Sequence, residues 1–276
     1  VSTAENQTLT PRQQREVDYH RDYAREKAQQ RLTPVNLDIL DHSQRRWANA
    51  HWHAYTVLMK HDLRGKKVLI PGCGFGEDAV RLSQLGAEVH AFDLSPEILD
   101  VAQQRIDKFG YENIYLAEMP CEAMTYDDNF FDVIFFIDIL HHVDIAKAAK
   151  EIQRTAKKGA VIAGNELYTH SFLQKNIRES FLVDKLLYRP MKRVIYGANE
   201  PYITEDEHKI DENEFAQIAE ICENLDVTYF NSFVGRLVPD RLPFSQQADR
   251  TMTRMLGNFG RFTAGRIIFD GVIAKT

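Results

Sequence analysis

Between positions 67 and 163 the chain alternates between short apolar runs and stretches of helical periodicity. Lys67–Pro71 reads as a buried strand, followed by a Gly-rich turn and a helix from about Glu77 to Leu85 that Gly86 ends. Glu88–Phe92 is a second strand. Ser95 then caps a helix over Pro96–Phe109, with proline at its first position. Asn113–Ala117 is a short third strand. Phe131–Ile137 is almost wholly apolar, the pattern of a strand buried on both faces. A helix over about Ile145–Thr155 leads through Gly159 to a fifth strand at Ala160–Ala163. Strands alternating with helices at this spacing predict an α/β, doubly wound, mostly parallel sheet with helices on both faces.

The flanks follow other patterns. Pro11–Arg31 is highly charged and low in Gly, as an exposed helix would be, and Pro34 closes it. A second helical stretch from about Leu37 to Lys60 carries Trp47, Trp52 and Tyr55. Residues 1–62 are therefore expected to form an N-terminal helical lid beside a main domain over 63–276. After strand five the alternation breaks, and the next clear helix is Asp211–Glu223. Two further strands, near Val227–Val234 and Arg266–Ala274, flank a helical stretch around Ser245–Leu256. The expectation is a helical cap inserted at about 167–210 and a smaller insertion at about 236–264. A connection as long as the first is uncommon without a function.

Composition narrows the classes. The 276 residues are 44% hydrophobic and 27% charged, ordinary for a globular protein, with a formal net charge of −6. That balance argues against broad attraction to nucleic acid or anionic membrane. Cys73, Cys121 and Cys222 show no CxxC spacing, so neither a disulfide framework nor a structural zinc site is expected. No run approaches the roughly 20 apolar residues of a membrane span. Val1–Pro11 lacks the apolar core of a signal peptide, and the resulting expectation is a cytoplasmic protein.

The chemistry concentrates at Val68-Leu69-Ile70-Pro71-Gly72-Cys73-Gly74-Phe75-Gly76-Glu77-Asp78. A Gly-rich turn between strand and helix lets backbone approach a ligand closely. Asp93, at the end of strand two, is placed to accept both ribose hydroxyls of a nucleoside across the strand ends. The dinucleotide fingerprint asks for Gly or Ala where this chain has Glu77. Glu77 and Asp78 would also repel a pyrophosphate at the helix N-terminus, which favours a sulfonium cofactor bearing an amino group over NAD.

Gly72-Cys73-Gly74-Phe75-Gly76, Phe92-Asp93-Leu94-Ser95-Pro96-Glu97, and Phe131-Asp132-Val133-Ile134 with Leu140-His141-His142 resemble the successive motifs of class I, Rossmann-like S-adenosylmethionine-dependent methyltransferases. The resemblance covers about Lys66–Glu166. It implies a seven-stranded sheet with an antiparallel last strand and S-adenosyl-L-methionine as cofactor. It implies contacts from Gly72, Cys73 and Gly74 to the methionine part, with Gly76 in the same turn, Asp93 on the ribose and Leu94 against adenine. Ile137, at the end of strand four, is expected to be a further cofactor contact. Tyr19, within Tyr19-His20-Arg21-Asp22-Tyr23-Ala24, resembles part of the N-terminal helix that closes over the cofactor. Two positions depart from the family. Ile70 stands where many relatives carry an acid for the cofactor's amino group. Pro120-Cys121 stands where they carry Asp-Ala, so Glu122 or the backbone near Cys121 would have to receive the adenine amino group.

Methyl transfer from a sulfonium depends mainly on alignment, and a protonated nucleophile also needs a base. His141 and His142, after strand four, are candidate bases, with Glu166 and His170 after strand five as further candidates. Metal-assisted catechol methylation requires acids where Ile137 and Gly164 stand. Asn165 is retained, but Asp138 is one position off, so no metal is expected. Lys175, Arg178, Lys185, Arg189, Lys192 and Arg193 lie among Phe172, Phe181, Tyr188 and Tyr196 in the cap, which suits either a solvated face or a receptor for an anionic or amphipathic acceptor. The function expected is methyl transfer to an O, N or C atom of a small molecule such as a metabolite, lipid precursor or sugar, without nucleic acid as partner. The alternatives are a non-catalytic methyltransferase-like scaffold and a NAD-linked oxidoreductase.

Overall fold

A computed structural model describes residues 9–41, 50–173, 209–230 and 243–275. Seven strands form one sheet in the order β3-β2-β1-β4-β5-β7-β6. These are β1 (Lys67–Pro71), β2 (Glu88–Asp93), β3 (Ile114–Glu118), β4 (Phe131–Ile137), β5 (Ala156–Leu167), β6 (Cys222–Phe230) and β7 (Arg266–Ile273). β1 through β5 pair in parallel, and β7 runs antiparallel to both β5 and β6. The strand order reverses beside β1, so a crevice opens outside the carboxyl ends of β1 and β4, where ligands bind in open α/β sheets.

Strand alternation splits the core in two. Val68, Ile70, Val133 and Phe135 pack with α3 (Ala50–Leu58) and α4 (Glu77–Gln84) on one face. Leu69, Ile134 and Phe136 pack with α6 (Ile145–Thr155) and the helix Glu212–Ala219 on the other. α5 (Pro96–Phe109) begins at Ser95, whose side chain accepts from the Ile98 amide, and ends at Gly110 in the left-handed region. Asp144 caps α6 in the same way by accepting from Lys147 N.

Three expectations shift. The stretch expected to be helical over 37–60 contains α2 (Asp38–Asp41) and α3. Ala54, Tyr55 and Leu58 of α3 are fully buried in the sheet's own core, so α3 is a layer of the main fold. β5 is longer than its apolar centre predicted. At its start, pairing jumps from Phe131–Ala156 to Val133–Val161 past Gly159 (φ 76°), and at its end the polar Asn165 and Glu166 pair with Ile268 and Ile267 of β7. β6 begins at Cys222, because the preceding helix stops at Ala219 rather than Glu223. The basic cap residues Lys175–Arg193, together with Trp47, Phe181, Tyr188 and Tyr196, lie outside the described residues, as does most of the insertion expected over 167–210.

α1 (Pro11–Arg31) opens with a Thr10–Gln13 capping box and lies across α5. Its contact stripe is unusual: Gln13 and Glu16 are buried together with the apolar Val17 and Ala24. Phe75 of the Gly-rich turn, Ile98 and Val101 complete a small cluster beneath it.

Candidate active site

The Gly-rich turn supplies the floor of the site. Gly72 (φ 62°) and Gly74 (φ 51°) both lie in the left-handed region. A side chain at Gly72 would collide with Ile139, whereas one at Gly74 would point into open space. Asp93, at the tip of β2, accepts from Gly74 N through Oδ2 (3.0 Å) and from Ser95 N through Oδ1 (3.1 Å), which fixes the carboxylate at the edge of the crevice. A cavity of about 310 Å³ follows, lined by Gly72, Gly74, Phe92, Asp93, Leu94, Met119, Cys121 and Glu122 on one side. Asp138, Ile139, His141, His142, Val143 and Leu167 line its other side, and Glu16 and His20 of α1 close it.

Beneath the far wall lies a buried carboxylate. Glu166 has no solvent exposure. Its Oε2 accepts from the amides of Ile139 (3.0 Å) and Leu140 (2.6 Å), and its Oε1 from the Leu167 amide (2.7 Å). The same Oε1 lies 2.5 Å from Nδ1 of His141, which anchors the imidazole at the cavity wall. The His142 ring centroid is 4.0 Å from that of His141, and its Nδ1 is 3.2 Å from Glu16 Oε1 on α1.

α1 is fastened along its length. Arg12 donates to the His141 carbonyl (2.7 Å), and Gln13 Nε2 donates to Glu122 (3.1 Å), whose other oxygen accepts from Asp144 N. Arg21 pairs with Glu97 (2.8 Å) and Arg31 with Glu77 (3.0 Å). Arg105 of α5, almost fully buried, donates to the carbonyls of Arg31 and Phe75 and so ties the end of α1 to the Gly-rich turn.

Most of the residues named from sequence meet here: Gly72, Gly74, Asp93, Leu94, Cys121, Glu122, His141 and His142 line one cavity, and Glu166 stands directly behind it. Cys73 lines the adjoining cavity beside Gly74. Burial, Asp93 and Asp78 all push its thiol well above the ordinary range, and burial does the same for Cys121, so both remain thiols. Gly76 (φ 74°) serves as the N-cap of α4. Ile137 packs into the core on the α3 side, because alternation along β4 turns it away from the cavity. Tyr19 stacks on Tyr23 with centroids 6.5 Å apart, while Glu16 and His20 of the same helix line the cavity. His170 is not brought in. It sits 3.5 Å from Glu212 and 4.5 Å from the Phe262 ring in a separate cavity with Tyr168 and Tyr229.

Asp138 does reach the cavity, at φ 51°, but its carboxylate is held by Arg266 through bonds of 2.6 and 3.1 Å. Among the described residues no grouping of three or more His, Cys, Asp or Glu could hold a metal ion. The sequence also overstated one repulsion. Glu77 faces Arg31 and Arg105, and Asp78 accepts from Arg81 (2.8 Å) and Tyr55, so the two acids at the start of α4 are largely offset. Glu16 and His20 were not singled out in the sequence because the buried stripe of α1 is polar, and Arg105 because a lone arginine on α5 reads as a solvated side chain. The visible signal on α1 was spacing: Gln13, Glu16, Val17, His20 and Ala24 fall on one helical face.

Residues 69–164 match the family described as "Methyltransferase domain". The chain is 30% identical over 128 residues to a demethylmenaquinone methyltransferase of Chlorobaculum tepidum, covering 44% of this chain and 51% of that protein. It is 30% identical over 105 residues to a magnesium-protoporphyrin O-methyltransferase of Rhodobacter capsulatus, covering 36% and 45%. The chain thus spans about half the length of these curated relatives. Among solved structures, geranyl diphosphate C-methyltransferase from Streptomyces coelicolor, crystallised with Mg2+, geranyl diphosphate and S-adenosyl-L-homocysteine, superposes with a TM-score of 0.57 at 13% identity, over 96% of this chain and 99% of that one. Domain match and fold point the same way: residues 69–164 are similar to the methyltransferase-domain family, and the chain shares the fold of a solved methyltransferase.

Proposed function

We propose that this chain is an S-adenosylmethionine-dependent methyltransferase acting on a small molecule, and that His141, held by Glu166, removes the proton from an acceptor oxygen or nitrogen. The cavity fits the cofactor. Asp93 sits at its edge for a ribose, Met119, Cys121 and Phe92 offer an apolar slot for a base, and Gly74 leaves the space a thioether chain needs. Bound there, S-adenosylmethionine supplies an electrophilic methyl group for in-line displacement.

The protein's own part is alignment and proton removal. Ile139, Val143 and Leu167 wall the acceptor side, and α1 closes over it, which keeps water from competing. Glu166 holds His141 in the tautomer with Nδ1–H toward the carboxylate, so Nε2 can receive a proton, and it stabilises the imidazolium that results. The observation that carries this reading is that buried pair opening onto the same cavity as Asp93 and Gly74. The relatives named for quinone and porphyrin methylation support an acceptor of small-molecule size.

Calorimetric titration with S-adenosylmethionine and S-adenosylhomocysteine, with Asp93→Ala as control, is the first test. A panel of phenols, quinols and amines with methyl-labelled cofactor follows. Binding lost in Asp93→Ala, and methyl transfer lost in His141→Gln with binding retained, is the expected result. Binding of neither ligand sinks the enzyme reading. Full transfer by His141→Gln sinks the role given to His141.

A further inference from the structure

Ile70 cannot take the part of the acid that many class I relatives carry at its position, because it is buried in the core on the α3 side of the sheet. The molecule offers charge at a different place. A second cavity, also of about 310 Å³, is lined by Tyr23, Arg31, Cys73, Phe75, Glu77, Asp78 and Ile98. Gly74 and His20 line both cavities, so the two are adjoining parts of one trough across the Gly-rich turn.

The two ends of that trough differ in chemistry. The first carries Asp93 with the apolar Phe92, Leu94 and Met119. The second sets a guanidinium beside carboxylates: Arg31 lies 3.0 Å from Glu77, donates to the Tyr23 hydroxyl (3.3 Å) and sits over the Phe75 ring at 5.2 Å. Asp78 is held by Tyr55 and Arg81 and is 16% exposed. Glu77, which faces Arg31 at 3.0 Å and Arg105 at 3.5 Å, is 36% exposed and so the more accessible of the two acids to a ligand cation. A cation and an anion side by side match a zwitterion that presents both groups on one carbon.

We propose that Arg31 and Glu77 bind the α-carboxylate and α-ammonium of the cofactor's amino-acid end, replacing the acid missing at position 70. This rests on the cofactor reading given above. Because Arg31 is the last residue of α1, amino-acid recognition and closure of α1 share one side chain.

Two ligands separate this inference from the cofactor reading itself. S-adenosylhomocysteine carries the amino-acid end, and 5′-methylthioadenosine keeps the nucleoside and sulfur without it. Titrated into the wild-type chain, S-adenosylhomocysteine should bind about a hundredfold more tightly, the scale of two charge-assisted contacts. Arg31→Met and Glu77→Gln should each lose about tenfold toward S-adenosylhomocysteine and leave methylthioadenosine within about twofold. Arg31→Lys should recover part of the loss. Asp93→Ala, in contrast, should weaken both ligands alike. The inference is overturned if the variants weaken both ligands equally or neither. Equal wild-type affinity for the two ligands also overturns it while leaving the nucleoside site standing. Binding of neither ligand by wild type removes the cofactor reading and this inference with it. Methylthioadenosine affinity and melting temperature report folding in each variant. Should Arg31→Met not fold, Arg31→Lys and Glu77→Gln decide the matter.

Discussion

Glu166 Oε1 lies 2.5 Å from His141 Nδ1, while three backbone amides converge on the same carboxylate from both sides of the junction between β4 and β5. One side chain thus performs two tasks. It completes the hydrogen bonding of the loop after β4, and it holds the His141 ring at the cavity wall.

This arrangement predicts that Glu166→Gln is destabilising despite being isosteric. Both carboxylate oxygens act as acceptors, and an amide has only one acceptor oxygen to offer. Its NH2 group must face at least one donor, either the Ile139 and Leu140 amides or Leu167 N and His141. A loss of about 1–3 kcal/mol is expected from such an unmet buried donor. Urea denaturation read by circular dichroism measures it, and a variant as stable as wild type would contradict the converging hydrogen bonds.

Arg105 makes a second prediction. Its guanidinium joins the last carbonyl of α1 to the Phe75 carbonyl and approaches Glu77. Arg105→Met keeps the apolar stem but strands those acceptors, at a cost of about 2–4 kcal/mol. The effect should be local first. Hydrogen exchange in α1 should accelerate well before exchange in β1 and β4. Uniform acceleration would mean that α1 does not open on its own.

The sheet was legible because its central strands are short apolar runs set between helical stretches, and its turns carry Gly, Ser-Pro and Asp at their usual places. Lys67–Pro71, Phe131–Ile137 and Pro96–Phe109 have the same bounds in sequence and structure. What escaped was what tertiary context alone decides. Asn165 and Glu166 read as the start of a loop, yet they are strand, because β7 pairs with them and the loop after β4 supplies amides to the carboxylate. Sequence placed His170 near the chemistry through closeness in number to Glu166. The chain turns after Tyr168, which bridges to Ile210, and carries His170 toward Glu212. On α1, Tyr19 was the visible aromatic, but helix rotation presents Glu16 and His20 instead.

Asp138 tests backbone strain in the cavity wall. Its φ of 51° is costly for most residues, and Asp and Asn tolerate it best. Asp138→Asn and Asp138→Val both remove the charge facing Arg266, so their difference isolates the backbone and side-chain fit. Asp138→Val should be less stable than Asp138→Asn by about 1–2 kcal/mol or more. Equal denaturation midpoints for the two would argue that residue 138 does not hold this conformation in solution.

His20 sets a pH dependence. Burial lowers its pKa from the ordinary 6.5, opposed in part by Asp93 and Glu16 and reinforced by His142. Its neutral form is therefore favoured in the folded chain, and between the lowered value and 6.5 the unfolded chain binds more protons. The sign follows: this contribution is fully present above pH 6.5 and is lost as pH falls through 6.5 toward the folded value. Stability measured at pH 7.5, 6.0 and 5.0 should decline, and His20→Asn, which cannot charge, should decline less steeply. Because His20 lies on α1 between the two cavities, protection of the α1 amides should fall over the same interval. An unchanged slope in His20→Asn would assign the acid sensitivity to other groups, with His142 and Glu16 the next to substitute.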